Sequence, residues 1–146
     1  RSALNVGSVF RTADGFRIEK VILIGYTATP PHKDIQKTAL GATDTVSWEH
    51  VPETATAMES LKANGYKIYA LEQTENAFML NDFEPAADEK IALIFGNEVM
   101  GVEQDTINAA DGVIEIPQFG AKHSLNVSVS AGIVMWHLVN QKLQAK

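Results

Sequence analysis

Four short apolar runs recur along the chain, and helix-patterned stretches separate them. The runs are 21–24 (VILI), 67–71 (KIYAL), 91–95 (IALIF) and 113–116 (VIEI). Runs of that length, flanked by Gly, Asp or charged residues, read as strands. Parallel neighbours need a long crossover between them, and a helix is the usual one. The alternation therefore restricts the chain to an α/β domain with a mostly parallel sheet flanked by helices. Residues 45–48 add a brief strand or a ligand-loop edge, with Trp48 and His50 either partly packed or free to stack on a base.

The helical stretches carry their own punctuation. In 5–15 (NVGSVFRTADG), Val6, Phe10 and Ala13 share a face, Asn5 is a candidate cap and Gly15 a candidate stop. A loop with Pro30 and Pro31 precedes a short helix at 34–40, which Asp34 is placed to cap. Pro52 opens a helix through residue 64, with Ala55, Met58 and Leu61 at core spacing and Gly65 after it. A further helix covers 103–110. The closing helix, 128–143, has a stripe of Val129, Ile133, Trp136, Val139 and Leu143, broadened by Ala131, Val134 and Leu138. That breadth predicts burial against a sheet and against something else, such as a second subunit.

Composition narrows the class. A chain of 146 residues fits a single domain, 1–146, able to bury roughly 70% of its extended surface. No apolar run approaches a membrane span, and no secretory signal is visible. The absence of cysteine excludes disulfides, thiolate metal sites and cysteine nucleophiles, in keeping with a cytoplasmic protein. A net charge of -6 argues against a broadly basic nucleic-acid surface but leaves room for a local basic groove.

Two loops concentrate polar residues beside buried elements. Residues 114–132 (IEIPQFGAKHSLNVSVSAG) run from a strand through a loop carrying Lys122, His123, Ser124 and Asn126 into an apolar helix. Residues 96–101 (GNEVMG) follow a buried strand, the place where open α/β sheets bind ligands. There Gly96 and Gly101 permit close backbone approach around Glu98. Arg11 is either a solvated helix charge, the commoner fate, or a fork for a phosphate or carboxylate. Standard signatures are missing: no GxGxxG, no phosphate-binding P-loop, no HExxH. His32, His50, His123 and His137 lack metal-ligand spacing, and Ser124 has no nucleophile elbow around it. These residues alone do not name a reaction, and no metal is expected.

Three segments together are more specific. NVGSVFRTA at 5–13, IFGNEVMG at 94–101 and IPQFGAKHSLNVSV at 116–129 occur in that order. They resemble the three motifs of the SpoU (TrmH-like) RNA ribose methyltransferases of the SPOUT superfamily. GYTATPP at 25–31 and KTALGA at 37–42 are similar to one branch of it.

The resemblance implies methyl transfer from S-adenosylmethionine to a ribose 2'-hydroxyl of tRNA or rRNA. It also implies a SPOUT α/β fold with a deep C-terminal trefoil knot, and a homodimer. In that pattern Arg11 activates the ribose hydroxyl beside an RNA phosphate, and Asn5 supports it. Glu98 positions catalytic groups or a dimer-shared pocket, and Ser124 and Asn126 form a polar pair near the methyl donor. Phe95, Gly96, Ile116, Gln118, Ser124 and Leu125 line the cofactor pocket. Family members carry a strand before the first motif, so the domain is expected to lack its first strand. The acidic balance points to RNA held in a restricted groove across the dimer, with Arg17, Lys33 and Lys37 as its cations. Two alternatives stand beside this reading: a cofactor-binding RNA-associated protein with weak or lost catalysis, and base methylation by another SPOUT branch. The NVG…R segment favours ribose chemistry.

Overall fold

A computed structural model of the chain describes residues 2–97, 99–121 and 125–144. Strands and helices alternate as the apolar runs require. The strands are β1 (Lys20–Ile24), β2 (Ser47–Val51), β3 (Lys67–Leu71), β4 (Phe78–Met79), β5 (Ile91–Ile94) and β6 (Gly112–Glu115). The helices are α1 (Ala3–Gly15), α2 (Lys33–Ala39), α3 (Thr54–Ala63), α4 (Gln104–Ala109) and α5 (Val127–Gln144). Every strand pairing is parallel.

Helix starts differ from the sequence expectation in an instructive way. Ser2, not Asn5, caps α1: its hydroxyl accepts from the Asn5 amide at 3.4 Å. A hydroxyl placed three residues earlier meets an otherwise unpaired first-turn amide. His32, not Asp34, caps α2, its Nδ1 accepting from the Asp34 amide at 3.1 Å. The helix after Pro52 starts at Thr54 and buries Ala57 and Met58, whereas Ala55 is exposed. Val6, Phe10 and Ala13 are buried along α1 as their spacing predicts.

The core has two parts. One gathers Val6, Phe10 and Ala13 with Leu23 of β1, Ile35 and Ala39 of α2, and Ala131 and Met135 of α5. The other joins Leu80, Phe83, Ile114 and Val134, with Tyr69 set edge-on to Phe83 at 4.8 Å between ring centroids. α5 therefore belongs to both. Its buried residues are the small or slender ones, Ala131, Val134 and Met135. Gly132 lies against α1, where a Cβ would sit 3.8 Å from Thr12 Cγ2. The bulkier stripe of Val129, Ile133 and Trp136 turns outward; Trp136 is 51% exposed.

Two separate sheets result. β1 and β2 form one, and the other has the order β4-β6-β3-β5. Among the described strands, β1 is paired on one edge only, and so is β5. A cavity of about 1420 Å³ runs between those two edges, lined by Val21, Ile22 and Leu23 on one side and by Ile91, Ala92 and Leu93 on the other. A bare edge leaves a row of backbone N–H and C=O groups without a ladder partner.

Candidate active site at the carboxyl ends of the strands

The loops leaving β3, β5 and β6 gather at the carboxyl ends of the four-stranded sheet, where such sheets bind ligands. The loop after β5 is a tight turn. Asn97 and Gly101 exchange two backbone hydrogen bonds, at 3.2 and 2.8 Å. Asn97 Oδ1 also accepts from the amides of Val99 and Met100, at 2.7 and 3.3 Å. Gly96 is obligatory, because a Cβ there would strike the backbone of Gly101. Gly101 sits at φ 69, a left-handed conformation that glycine adopts without strain.

Glu72, directly after β3, holds this turn from below. Its Oε2 accepts from the Val102 amide at 3.0 Å, and its Oε1 from the Gln73 amide at 3.2 Å. No motif marks Glu72; the available signal is a lone carboxylate immediately after a buried strand.

The loop after β6 is braced across itself, with Gln118 Oε1 accepting from the Leu125 amide at 3.2 Å. Asn126 then opens α5. Its Oδ1 accepts from the Ser128 amide at 2.9 Å, the Ser128 hydroxyl at 2.6 Å and the Val129 amide at 3.4 Å. That is a helix cap of the Asx type. The other half of the same side chain reaches away: Asn126 Nδ2 donates to Asn5 Oδ1 at 3.2 Å. One asparagine thus starts the last helix and ties it to the first.

The sequence-selected residues divide into groups. Asn5 and Asn126 are in contact. Asn5, Phe95 and Gly96 line one end of the large cavity between β1 and β5, whereas Ile116, Gln118 and Leu125 lie outside its lining. Ile116 packs beside Ile114 and Val134, and Leu125 is 38% exposed. Arg11 belongs to a different recess, shared with Lys37. Glu98 and Ser124, together with Lys122 and His123, lie outside the described residues. Arg17, Lys33 and Lys37 do not share one recess: Arg17 lines the large cavity, Lys37 stands beside Arg11, and Lys33 is exposed at the start of α2. Trp48 packs partly into the core, and His50 is exposed with Nε2 2.6 Å from the Gly25 carbonyl. Among the described residues no group of three or more His, Asp or Glu is arranged to hold a metal ion. No described helix is long and apolar enough to cross a membrane.

Residues 1–136 match the model of the SpoU rRNA Methylase family. The chain belongs to that family. Among curated SpoU relatives, a tRNA (guanosine(18)-2'-O)-methyltransferase of Thermus thermophilus is 31% identical over 142 residues, covering 97% of this chain and 71% of its own. A 23S rRNA (guanosine-2'-O-)-methyltransferase of Burkholderia sp is 34% identical over 140 residues, 96% of this chain and 56% of its own. The first relatives matched are longer proteins, of which the chain spans 55% and 59%. In fold, the chain is similar to the SpoU methyltransferase AviRb from Streptomyces viridochromogenes, with a TM-score of 0.90 at 21% identity over 99% of this chain and 57% of that one. The A. aeolicus TrmH/SpoU tRNA modifying enzyme gives a TM-score of 0.86 at 24% identity, over 99% of this chain and 72% of that one. The SpoU fold therefore accounts for the parallel sheets and their flanking helices.

Proposed function

We propose that this domain transfers a methyl group from S-adenosylmethionine to a ribose 2'-hydroxyl of tRNA or rRNA. Membership of the SpoU family supports the reaction class, and relatives named for 2'-O-methylation of tRNA and 23S rRNA support the substrate class. The observation that carries the reading is the Asn5–Asn126 hydrogen bond, which joins the first and third motif segments across 121 positions.

The loop residues fit an adenosyl sulfonium. Half-exposed Leu125 and half-buried Ile116 offer apolar contact to a planar base. Gln118 is held through its Oε1, so its amide nitrogen is left to donate. When bound, S-adenosylmethionine supplies a methyl group already activated on sulfur. The protein's task is then to align a weak nucleophile with it and to favour loss of the hydroxyl proton. Arginine stays protonated in water, so Arg11 acts by stabilising developing alkoxide and orienting phosphate, with Asn5 and Asn126 setting the local frame. Glu98 and Ser124 are assigned to the same machinery, with Ser124, Phe95 and Gly96 also at the cofactor.

The decisive assay incubates the protein with labelled methyl donor and RNA from a strain lacking the gene, then maps 2'-O-methyl sites. Label in one RNA class is expected. Arg11→Ala should reduce single-turnover methylation by about 10²- to 10³-fold, the effect of removing one preorganised donor. Donor binding with no methyl transfer to any RNA, or near-normal turnover by Arg11→Ala, would sink the assignment.

Three architectural proposals accompany this reading. Residues 1–146 form one catalytic domain, and the cavity between β1 and β5 takes one further parallel strand that merges both sheets. The C-terminal segment is threaded as a trefoil knot, supported by β6 lying between β3 and β4 while the chain after it returns to α1. The enzyme is a homodimer, supported by the apolar outer face of α5, and it is cytoplasmic, in keeping with a sequence that has no cysteine. An experimental structure of the full-length protein tests the first two: an unfilled cavity removes the strand, and an unthreaded tail removes the knot. Cell fractionation tests the compartment, and recovery with membranes would contradict it.

A further inference from the structure

Tyr26 is the most exposed large apolar or aromatic side chain among the described residues, its whole ring in solvent. Phe119 comes next, but it borders residues outside the described ones. A single ring on a surface needs no explanation by itself. The backbone beneath Tyr26 sets it apart. It occupies a tight turn at the carboxyl end of β1, and both sides of that turn are fixed. The Ile24 carbonyl accepts from the Thr27 amide at 3.1 Å and from the Thr27 hydroxyl at 2.7 Å. The Gly25 amide donates to the Val51 carbonyl at 3.0 Å, and His50 Nε2 donates to the Gly25 carbonyl at 2.6 Å. Gly25 sits at φ 61, so the chain bends at a residue that tolerates it. A ring held out on a braced turn loses little freedom when another ring settles on it.

The turn borders the candidate active site. Ile24 and Thr27 line the large cavity that also takes in Asn5, Phe95 and Gly96, and Ala28 packs against the same core cluster as Phe95. The sequence around the ring is free of acid. Residues 20–33 (KVILIGYTATPPHK) contain no Asp or Glu in a chain of net charge -6, and they end on exposed His32 and Lys33. Glu49, the exposed acid on neighbouring β2, is paired with Lys20 at 3.3 Å. A flat ring without competing anions suits the face of a nucleobase. The reaction also asks for such a contact: a ribose hydroxyl is aligned with a methyl donor only if its nucleotide is held still. Stacking serves any base, because each has a π-face, and so it suits chemistry at the sugar.

We propose that Tyr26 is a stacking platform for an unpaired base of the RNA substrate. This role presupposes the RNA methyltransferase reading and adds to it a residue that the three motif segments do not include.

In the full-length protein, Tyr26→Ala and Tyr26→Leu remove the ring, whereas Tyr26→Phe and Tyr26→Trp keep one. Affinity is measured for an unstructured mixed-sequence oligoribonucleotide and for its blunt duplex, each across a series of salt concentrations. On the single strand Tyr26→Ala and Tyr26→Leu should bind about 5- to 150-fold more weakly, the loss expected for one stacked base. Tyr26→Phe and Tyr26→Trp should bind as wild type does. The slope of log K against log salt should be the same in every variant, because no phosphate contact is lost, and duplex affinity should not change. In steady-state assays Tyr26→Ala should raise KM for RNA while affinity for S-adenosylmethionine stays the same. Wild-type affinity of Tyr26→Ala for the single strand overturns the platform, and so does equal loss on the duplex or a shallower slope. Full affinity in Tyr26→Leu would make the contact merely apolar and overturn it too. A lowered urea midpoint in Tyr26→Ala would assign the ring to stability instead. Methylation by wild type and Tyr26→Ala with one KM would refute the platform and leave the enzyme reading standing. Ring-dependent binding of the single strand, with no methyl transfer to any RNA, would refute the enzyme reading and leave the platform standing.

Discussion

Asn126 is asked to do two things at once, and the two are separable by substitution. Its Oδ1 caps α5 and its Nδ2 bonds Asn5. Asn126→Ala should cost about 1 kcal/mol of stability from the lost cap, read as a lower urea midpoint. Asn126→Ser keeps a capping oxygen but is too short to reach Asn5, so it should restore most of the midpoint while methyl transfer stays low. Full activity in Asn126→Ser would show that the cap is all that matters. Tyr66 gives a second residue-level prediction, in pH. Its hydroxyl donates to Glu19 at 2.8 Å, and this bond first, then burial, then the Glu19 charge raise its pKa above the usual 10.0. Lys90, 5.4 Å from the ring centroid, is the cation nearest to it in these contacts. A raised tyrosine pKa favours the protonated folded form. Its contribution is therefore full below about pH 10 and lost as pH rises through the folded value. The Tm advantage of wild type over Tyr66→Phe should shrink above about pH 10; a gap independent of pH would exclude the linkage. Neither role is readable from residue type: Asn126 needs a partner from the other end of the chain, and Tyr66 needs the turn that brings Glu19 near.

At the scale of elements, what was legible is what repeats locally. The apolar runs at 21–24, 67–71, 91–95 and 113–116 all lie on strands to within a residue or two, because a buried parallel strand is apolar on both faces. The buried face of α1 follows from its spacing. The two-residue β4 was invisible, being too short to carry any period. Which part of the broad apolar face of α5 turns inward was not legible, because apolar residues surround the helix and its packing on α1 is a contact between distant segments. Caps failed for a related reason: Ser2, Asn5, His32 and Asp34 are all able cappers, and backbone geometry decides among them. The turn after β5 was recognised from its glycines, but its brace was not. Glu72→Ala removes the acceptor for the Val102 amide and should loosen that turn. A hydrogen bond to a charged group is worth about 1.5–3 kcal/mol, so affinity for S-adenosylmethionine should fall by about tenfold or more in calorimetric titration. Glu72→Gln, which retains an oxygen acceptor, should lie between. An unchanged Kd in Glu72→Ala would mean that the turn holds its shape unaided.

For the molecule as a whole, the outer face of α5 is the feature left over. Val129, Ile133 and Trp136 are exposed there at 50%, 37% and 51%, a run of large apolar groups that isolated domains usually cover. The 146-residue domain should sediment near twice its own 15.9 kDa, and Ile133→Asp should shift it toward the single chain with helical content retained. A wild type that sediments as one chain at all concentrations would leave this face to another partner. Sheet order was the least legible property at this scale, since nothing local to β1 or β5 says which edge stays bare. The long reach of the Asn5–Asn126 bond has a consequence in time. The two residues are 121 positions apart, and a ribosome adding about 5–20 residues per second needs on the order of ten seconds to travel between them. Until then the segment that carries Asn5 and Arg11 lacks the last helix against which α1 packs. The contact between the first and last helices therefore forms only after nearly the whole domain has been made.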